Sequence, residues 1–371
     1  MRIVFDGRVL GWTGIGRYAK ELLLRLEQQD DSNDYVVLMQ RADAKRWAPV
    51  APNFRIEWVD IAPYTVAEQL RLPGILRSLK PDLVHFPHFT VPVFYNAPFV
   101  ANVHDMTLVD FKNYRGDGLK HVIYEAKYAA SRWTLRHAVR KSKLIICSTN
   151  YVKNRLASHF HLPPERFTTI PLGFEMTGQD ATKPVSPEVP YLFSLGNSYP
   201  YKNLARLVDA FAVSKFRAHG GELILGGPED YFREQLRAYV AKNKLGAGVK
   251  FVGRVSDDEL TRLYQQASLF VFPSLSEGFG LPGLEAMSNG APVLASNATC
   301  LPEVYGDAAA YFDPHSTTDL TDKIDILTAN EVERARLVAA GYEQLKRFSW
   351  KATTEQTLAM YRVTLRSLRR D

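Results

Sequence analysis

Short apolar runs alternate with helical patterns along most of the chain. Residues 2–5, 83–86 and 269–272 form runs of four residues that are rich in branched and aromatic side chains, as in buried strands. Residues 150–160 instead repeat apolar side chains at helical spacing. Strands separated by helices predict parallel, doubly wound sheets. The pattern therefore predicts an α/β protein.

The alternating pattern is interrupted by a polar segment with three prolines, residues 177–190, which has the composition of a linker. A chain of 371 residues also exceeds what a single hydrophobic core usually holds. We therefore predict two domains, residues 1–176 and 191–349, joined by this linker. A basic, helical segment at residues 350–371 either caps its own domain or crosses back to the first one.

Composition is that of a globular protein without a membrane span. Hydrophobic residues make up 46% and charged residues 23% of the chain, and no apolar run reaches the roughly 18 residues that a spanning helix needs. Asp6 interrupts the start where a signal peptide keeps its apolar stretch. Cys147 and Cys300 are too few for a disulfide framework. These features predict a cytosolic protein.

Basic residues concentrate between Lys112 and Lys143, where nine Lys or Arg stand against two acids, although the formal net charge of the chain is only +6. Tyrosines and Trp133 are interleaved with them. A basic, aromatic helix can lie on an anionic membrane surface or hold a phosphorylated partner. The alternative is a solvated helix face that covers the sheet. Nucleic acid is less favoured, because no nucleic-acid-binding motif accompanies the charge.

The segment from Pro273 to Met287 is the first candidate for chemistry. It follows a predicted strand and reads as a glycine loop that opens a helix, with Gly278 and Gly280 in the loop and Pro282 at the first helical position. Unpaired amides at a helix start suit a phosphate.

Glu277 and Glu285 flank this glycine loop, with Glu285 expected in the first helical turn. Their acceptor-only oxygens suit sugar hydroxyls. Alternatively, Glu285 only complements the helix dipole while Glu277 is solvated. A glycosidase acid and nucleophile pair is less favoured, because such carboxylates need no glycine loop at a helix start.

A second candidate follows the strand at residues 191–195. Gly196 opens a turn that ends in Lys202 and Asn203 before a helix at residues 204–216. A lysine at a helix start beside a glycine turn can hold a phosphate as a point charge. The alternative is an exposed lysine beside an Asn cap.

In the first domain, Gly14 and Gly16 form a glycine loop before a helix that begins near Lys20. The letters fit a dinucleotide fingerprint, but the loop lies well beyond the first strand and the expected acid is absent after the next one. We prefer a loop whose amides face a ligand.

Three histidines of the first domain are also candidates. His104 follows a predicted strand at the edge where open α/β sheets bind ligands. His85 and His88 form an H-x-x-H that Pro87 interrupts, without an evident third ligand, so a metal site there is weakly supported.

Taken together, these segments resemble the retaining glycosyltransferases of the GT-B family usually numbered four. The most specific element is the E-x7-E signature from Glu277 to Glu285. Supporting matches are Gly14-Ile-Gly-Arg-Tyr18, Val103-His-Asp105, Lys202-Asn203 and Val252-Gly-Arg-Val-Ser-Asp257. The resemblance covers nearly the whole chain and implies two Rossmann-like domains that face a central cleft.

The resemblance also implies residue roles. Glu285 would bind the ribose of a nucleotide-sugar, Glu277 the hydroxyls of the donor sugar, and Lys202 the diphosphate. His104 would contact the transferring sugar. Other implied donor-binding positions are Phe279, Gly280, Leu281, Arg254, Val255 and Asn197, and the implied acceptor-side positions are Gly14, Gly16, Arg17 and Asp105.

One departure from the family pattern concerns the phosphate loop. Many members carry an arginine just after its glycine or just before its lysine, and here these positions are Asn197 and Tyr201. Either Arg254 or the helix amides compensate, or leaving-group stabilisation is weaker. No D-x-D occurs in the chain, in keeping with the family's usual metal independence.

The sequence thus predicts a retaining, metal-independent hexosyltransferase that needs no cofactor. Its co-substrate is expected to be GDP- or UDP-hexose, with mannose slightly favoured because the residues from Gly14 to Tyr18 look like those of bacterial mannosyltransferases. The acceptor is expected to be a saccharide or lipid-linked saccharide of bacterial surface polysaccharide at the inner membrane face. The alternatives are a nucleotide-sugar epimerase of similar architecture and a catalytically silent sugar-nucleotide binder.

Overall fold

The structure is a computed structural model that describes residues 1–112, 119–175 and 187–368. Most of the predicted linker 177–190 and part of the basic stretch therefore lie outside the described residues. The described chain divides into two compact units. The first contains residues 1–109, 119–173 and 348–368, and the second contains residues 110–112, 174–175 and 187–347.

A parallel sheet forms the centre of the first unit. Its strands are β1 (Arg2–Asp6), β2 (Asp34–Met39), β3 (Phe54–Trp58), β4 (Leu83–Phe86), β5 (Phe99–Val103), β6 (Leu144–Cys147) and β7 (Phe167–Thr169). In the described residues their order is β3-β2-β1-β4-β5-β6-β7, and each neighbouring pair is parallel. The order reverses between β1 and β4, which is the topological switch point of an open sheet.

The second unit has a parallel sheet of the same kind. Its strands are β8 (Tyr191–Leu195), β9 (Glu222–Gly226), β10 (Val249–Val252), β11 (Leu269–Phe272), β12 (Val293–Ser296) and β13 (Ala309–Phe312). Their order over the described residues is β10-β9-β8-β11-β12-β13. The switch point therefore lies between β8 and β11.

Helices connect the strands in both units. They are α1 (Gly14–Gln29), α2 (Val66–Ser78), α3 (Thr107–Asp110), α4 (Leu119–Lys141), α5 (Asn150–Phe160), α6 (Leu204–Val213), α7 (Lys215–Ala218), α8 (Tyr231–Lys242), α9 (Asp257–Gln265), α10 (Leu281–Ser288), α11 (Leu301–Tyr305), α12 (Thr317–Ala329), α13 (Glu331–Leu345) and α14 (Trp350–Leu368).

The central strands of both sheets are apolar, whereas the edge strands β3 and β10 carry exposed charged residues. Every residue of β4, β5, β11 and β12 is buried, as expected when neither face of a parallel sheet meets water. Each unit has its own hydrophobic cluster of strand and helix side chains. The predicted doubly wound α/β architecture is confirmed.

The helix predicted at residues 204–216 is interrupted. It ends at Val213, and Ser214 takes an extended conformation with ψ of 149°. The Ser214 hydroxyl donates to the carbonyl oxygen of Phe211 at 2.8 Å and accepts the N–H of Arg217 at 3.2 Å. Serine side chains compete with helical hydrogen bonds in this way, so Ser214 ends one helix and caps the next.

The last helix, α14, packs within the first unit. The Thr353 hydroxyl donates to the carbonyl oxygen of Pro171 at 2.8 Å. A Cβ at Gly173 would lie 2.4 Å from the Cα of Trp350, so the chain passes α14 here without room for a side chain. The first unit therefore contains residues from both sides of the second one in sequence.

Candidate functional site

Two loops of the second unit leave the sheet at its switch point. β8 and β11 are neighbouring strands, and their carboxyl ends lead into residues 196–203 and 273–280. Ligands of open α/β sheets bind at this edge, where the strand order reverses. Lys202 and Glu277 lie one on each loop, so the sheet topology brings two residues together that are far apart in sequence.

The Lys202 ammonium forms an ion pair with Glu277. Nζ lies 2.5 Å from Oε1, and each side chain is only 14% exposed. Nζ also lies 5.3 Å from the ring centroid of Tyr201 and 5.4 Å from that of Phe272, within the range of a cation–π attraction. One carboxylate and two aromatic rings thus fix the position of a positive charge that stays partly accessible.

Asn203 ties the lysine loop to two other loops. Its backbone is left-handed, with φ of 58°, a conformation that Asn adopts more readily than most residues. Its Nδ2 donates to the carbonyl oxygens of Pro273, at 3.2 Å, and Pro314, at 2.9 Å. The backbone around Lys202 is therefore anchored to the start of the loop that carries Glu277.

The glycine loop after β11 opens the helix α10, as predicted. Gly280 is the cap residue, with φ of 91°, and no side chain caps the helix. Pro282 has no N–H and the Gly283 N–H donates to the Gly280 carbonyl oxygen at 3.2 Å, which leaves the N–H of Leu281 for a ligand. The helix begins at Leu281, which places Pro282 at the second helical position and not the first. Glu285 consequently lies in the second turn, and the prediction of the first turn was wrong.

A buried tyrosine contacts Glu285. The hydroxyl of Tyr264, on α9, donates to Oε2 at 3.3 Å. The Tyr264 ring packs against Phe193 and Phe270, with centroids 5.3 Å apart in both cases. Because dipole effects fall off within the first turn of a helix, complementing the dipole explains Glu285 poorly. In the structure Glu285 accepts a hydrogen bond from Tyr264, and its assignment to a ligand stays a prediction.

Sequence reasoning missed the segment that supports the glycine loop from behind. This support segment comprises residues 299–305, which follow β12. The Thr299 hydroxyl accepts the backbone N–H of Glu277 at 3.2 Å, and the Cys300 thiol donates to the Glu277 carbonyl oxygen at 3.3 Å. The Tyr305 hydroxyl donates to the carbonyl oxygen of Gly280 at 2.6 Å. The backbone of the glycine loop is thus held at both ends.

Thr299 makes its contact from a strained backbone. Its φ is 54°, and a β-branched residue in this region is an outlier that costs about 1–3 kcal/mol. Such strain persists where surrounding contacts hold it, and it clusters at functional sites. The positive φ is a property of the fold, and no sequence pattern around Thr299 indicates it.

The remaining predicted donor residues lie around these loops. Asn197 is half-buried on the lysine loop, and its Oδ1 accepts the N–H of Tyr199 at 3.4 Å. Phe279 is buried on the glycine loop. Arg254 is exposed and Val255 half-buried on the loop after β10, a strand that β9 separates from β8. Arg254 therefore does not belong to either loop of the switch point.

In the first unit, Gly14 and Gly16 do not form a loop before the helix. α1 begins at Gly14 itself, so Gly14, Gly16 and Arg17 all lie in its first turn, and Thr13 provides no side-chain cap. The prediction of a helix start near Lys20 was wrong, because the glycines are accommodated within the helix. A Cβ at Gly16 would lie 2.6 Å from the carbonyl oxygen of Leu10, so close packing requires this glycine.

His104 lies one residue beyond β5, and Asp105 follows it as an exposed residue. The His104 Nε2 contacts the carbonyl oxygen of Pro87 at 2.9 Å. Burial lowers the pKa of His104, and this outweighs the opposite effects of that carbonyl and of the Asp105 carboxylate. A neutral ring that donates through Nε2 keeps Nδ1 as an acceptor. His104 is thus suited to accept a hydrogen bond from a hydroxyl group.

A buried hydrogen-bond chain runs behind His104. The Asn102 Oδ1 contacts His85 Nε2 at 2.7 Å, and Asn102 Nδ2 donates to the Tyr18 hydroxyl at 3.0 Å. The Tyr18 ring meets the His104 ring edge-on, with centroids 4.9 Å apart. At the other end, His85 Nδ1 lies 2.5 Å from the Tyr361 hydroxyl on α14. These hydrogen bonds connect α14, the last helix of the first unit, to the neighbourhood of His104.

The contacts of His85 fix its tautomer. The Oδ1 of Asn102 can only accept, so His85 Nε2 carries the proton and Nδ1 accepts from Tyr361. Burial lowers the pKa of His85 to about 4 and that of His88 to about 3. With both ring nitrogens engaged, His85 has no lone pair for a metal, and no group of metal-binding side chains is found in the described part of the chain.

The helix α4 lies within the basic stretch and contains most of it. In its described part, the exposed face carries apolar as well as basic side chains: Val122 is 62%, Ile123 47% and Trp133 56% exposed. Exposed basic residues on and beside this helix are Lys127, Arg132, Arg136, Arg140, Lys141 and Lys143. Among the described residues, no helix has the length and apolar composition for crossing a bilayer.

Comparison with known proteins identifies the family. The family model described as Glycosyltransferase Family 4 matches residues 12–177, and that described as Glycosyl transferases group 1 matches residues 179–344. Together they match most of the chain. The chain belongs to this family of glycosyltransferases. The resemblance inferred from the E-x7-E signature is confirmed, and the protein is a family 4 glycosyltransferase enzyme.

Individual relatives agree with this family. The glycosyltransferase is 27% identical to O-antigen chain mannosyltransferase B of Escherichia coli over an alignment of 389 residues. This alignment covers 98% of this chain and 100% of that protein. The sucrose-phosphate synthase structure from Thermosynechococcus elongatus matches with a TM-score of 0.76 at 18% identity, covering 99% of this chain and 100% of that one. Anabaena HepE in complex with UDP and glucose matches with a TM-score of 0.72 at 18% identity, covering 98% and 100%. These structures confirm the predicted GT-B fold of two Rossmann-like domains.

Proposed function

We propose that this glycosyltransferase moves a hexosyl group, with mannose favoured, from a nucleotide-sugar to a saccharide or lipid-linked saccharide acceptor, with retention of anomeric configuration. The observation that carries the proposal is the ion pair of Lys202 and Glu277 at the switch point, beside the glycine-capped start of α10. It combines a cation, a carboxylate and a helix start that no side chain caps, which are groups that suit a sugar diphosphate.

The chemistry follows from where charge develops. The bond between the anomeric carbon and the diphosphate oxygen breaks, the acceptor oxygen forms a new bond to the same carbon, and the nucleoside diphosphate leaves. Negative charge grows on the diphosphate, where Lys202 and the positive N-terminus of α10 stabilise it. The ring carbon becomes positive. In our proposal the acceptor attacks from the leaving-group side, and a phosphate oxygen takes its proton.

The second unit binds the donor in this proposal. Glu285 accepts from the ribose hydroxyls, and Glu277 accepts from hydroxyls of the hexose. The backbone of Phe279, Gly280 and Leu281 also binds the donor. Further donor contacts in the proposal come from Asn197, Arg254 and Val255.

The first unit provides the acceptor-side groups in this proposal. His104 contacts the transferring sugar, for which its neutral, buried ring is suited because Nδ1 remains an acceptor. Gly14, Gly16, Arg17 and Asp105 border the acceptor. The first-turn position of Gly14 and Gly16 in α1 supports this assignment, since amides at a helix start are donors for an oxygen-rich ligand.

Donor identity is tested by binding and transfer. We expect GDP-mannose to stabilise the purified chain, because its E. coli relative is named a mannosyltransferase. At a hundred times its dissociation constant the gain is about 2.7 kcal/mol. UDP-glucose is the second donor to test, because HepE was solved with UDP and glucose. Thermal shifts with GDP-, UDP- and dTDP-sugars compare them.

Transfer and stereochemistry are measured on the product. Proton NMR of the product should show the anomeric configuration of the donor, and EDTA should leave the rate unchanged, since Lys202 and α10 supply the charge that a metal supplies elsewhere. Inversion would refute the retaining mechanism. A donor that is isomerised without an acceptor would indicate an epimerase, and binding without transfer or hydrolysis would indicate a silent binder.

We further propose that the enzyme acts in bacterial surface polysaccharide synthesis, in the cytoplasm at the inner face of the membrane. α4 supports this, because it exposes basic and apolar side chains on one helix. In vesicle sedimentation, Arg132→Gln combined with Arg136→Gln should weaken binding to anionic lipid. Lys242→Gln combined with Lys244→Gln, on the second unit, should not. Equal binding to neutral and anionic vesicles would refute the membrane contact.

A further inference from the structure

Arg233, on α8, is a fully buried arginine that faces backbone carbonyls. Its Nη2 donates to the carbonyl oxygen of Gly196 at 3.3 Å, and its Nη1 lies 3.4 Å from that of Leu225. Its guanidinium also lies 5.6 Å from the ring centroid of Phe251. These contacts place a positive charge directly behind the turn at Gly196 that begins the lysine loop.

Within the described residues, no carboxylate forms an ion pair with Arg233. Glu229 and Asp230 act on it only at longer range, and burial lowers the pKa of its guanidinium. A buried cation without a counter-ion destabilises a fold, and such groups are normally paired. Arg233 therefore stands as a charge that a bound anion can compensate.

The glycines around Arg233 leave room for this contact. Gly227, the residue after β9, has φ of 141°, and a Cβ there would lie 1.9 Å from the Gly196 oxygen and 2.7 Å from the Arg233 Nη2. The 196–197 peptide is trans, as are all described peptide bonds. With its carbonyl turned to the guanidinium, this peptide directs the N–H of Asn197 to the opposite side. Hydrogen bonding to a cation also polarises the peptide and makes that N–H a stronger donor.

We propose that Arg233 is a positioning residue of the donor diphosphate site, which acts through the peptide between Gly196 and Asn197. This proposal rests on the proposed function. It assigns to α8 the positive charge that the lysine loop lacks at Asn197 and Tyr201. Arg233 then strengthens diphosphate binding through the field of a buried charge and through one oriented N–H, without touching the ligand.

The chain contains a matched control for this proposal. Arg237 lies one turn further along α8 and stacks on the same ring, 4.4 Å from the Phe251 centroid. Its partner is the exposed Glu229, at 2.8 Å, and not a carbonyl of the lysine loop. Arg233→Met and Arg237→Met thus remove the same charge from the same helix, but only the first removes the contact with Gly196.

The test is calorimetric titration of the full chain with GDP and GMP, and with UDP and UMP. For Arg233→Met we expect the dissociation constant of the preferred diphosphate to rise roughly tenfold, equivalent to about 1.4 kcal/mol. The monophosphate should bind nearly as in the wild type. Arg237→Met should change neither value more than twofold. If the wild type binds no nucleotide at all, the proposed function fails, independently of Arg233.

Stability provides the second measurement. Arg233→Met removes an unpaired buried charge, which favours the fold, and also removes the hydrogen bonds to the Gly196 and Leu225 carbonyl oxygens, which disfavours it. Because the two effects oppose each other, Arg233→Met should keep a Tm close to that of the wild type while it weakens diphosphate binding. A lowered Tm with an unchanged ratio of diphosphate to monophosphate affinity would make Arg233 purely structural. If the Met variant does not fold, Arg233→Lys and Arg233→Gln decide the question. The Lys variant must bind the diphosphate several-fold more tightly than the Gln variant, and equal affinities overturn the proposal.

Discussion

Replacing Lys202 with methionine should lower kcat/KM by about two orders of magnitude. In the free enzyme, the ammonium is 2.5 Å from Glu277, and both side chains are 14% exposed, so an effective dielectric constant of about 20 is appropriate. At that value, two unit charges 4 Å apart attract by about 4 kcal/mol. Glu277 competes for the same cation before the donor binds, which leaves a net loss of about 3 kcal/mol, in the range found for other groups that stabilise transition-state charge.

The measurement is steady-state release of nucleoside diphosphate in the presence of acceptor. Lys250 provides the control, because it pairs with Glu222 at 2.6 Å in the same unit but does not lie on either switch-point loop. Lys250→Met should stay within twofold of the wild type.

The double variant of Lys202→Met with Glu277→Gln separates two explanations. If Lys202 only neutralises the Glu277 carboxylate, removing both charges restores much of the activity. If Lys202 stabilises the leaving group, the double variant stays at least as slow as the single one. Restored activity, or a loss below threefold for Lys202→Met alone, would refute the reasoning.

Three further predictions concern residues behind and beside these loops. Thr299→Val should raise the donor KM about tenfold because it frees the Glu277 loop, with Thr299→Ser close to wild type. Thr149→Val, which loses a similar bond to a backbone N–H, should affect only stability. An unchanged KM in Thr299→Val would contradict the support role. His104→Ala should lower kcat at least tenfold with GDP affinity unchanged, and a parallel loss of GDP affinity would contradict its assignment to the sugar. The pKa of His85 is about 4 in the folded protein and about 6.5 in the unfolded chain. Its contribution to the free energy of unfolding is therefore full above pH 6.5 and decreases by roughly 3 kcal/mol as the pH falls to 4. In urea titrations His85→Gln should flatten this dependence of stability on pH, and an unchanged dependence would refute this account.

The sequence indicates those parts of the site that depend on local pattern. The strand, glycine loop and helix around Glu277 were predictable because apolar runs, glycines and a proline each restrict the backbone locally. The helix Asn150–Phe160 was predicted with its observed bounds for the same reason. The contact of Lys202 with Glu277 follows less directly, since it depends on strand order.

Features that depend on tertiary contacts were missed. The left-handed Thr299, the contact of Arg233 with Gly196 and the break at Ser214 are set by neighbours distant in sequence or by a side chain that competes with the helix. The start of α1 was misplaced because glycines normally indicate a loop, whereas close packing at Gly16 favours glycine within this helix. An error in the predicted start of a helix also changes the predicted turn of each residue within it, as it did for Glu285.

The placement of α14 has a consequence for synthesis on the ribosome. The Tyr361 partner of His85 is translated after the main part of the second unit. At 5–20 residues per second this means a delay of roughly 10–35 s between the strands of the first unit and the helix that packs within the same unit. During this time residues 187–347 of the second unit can fold, while the first unit exposes the apolar surface that α14 later covers. Nascent chains stalled before residue 350 should therefore bind chaperones through the amino-terminal part of the polypeptide.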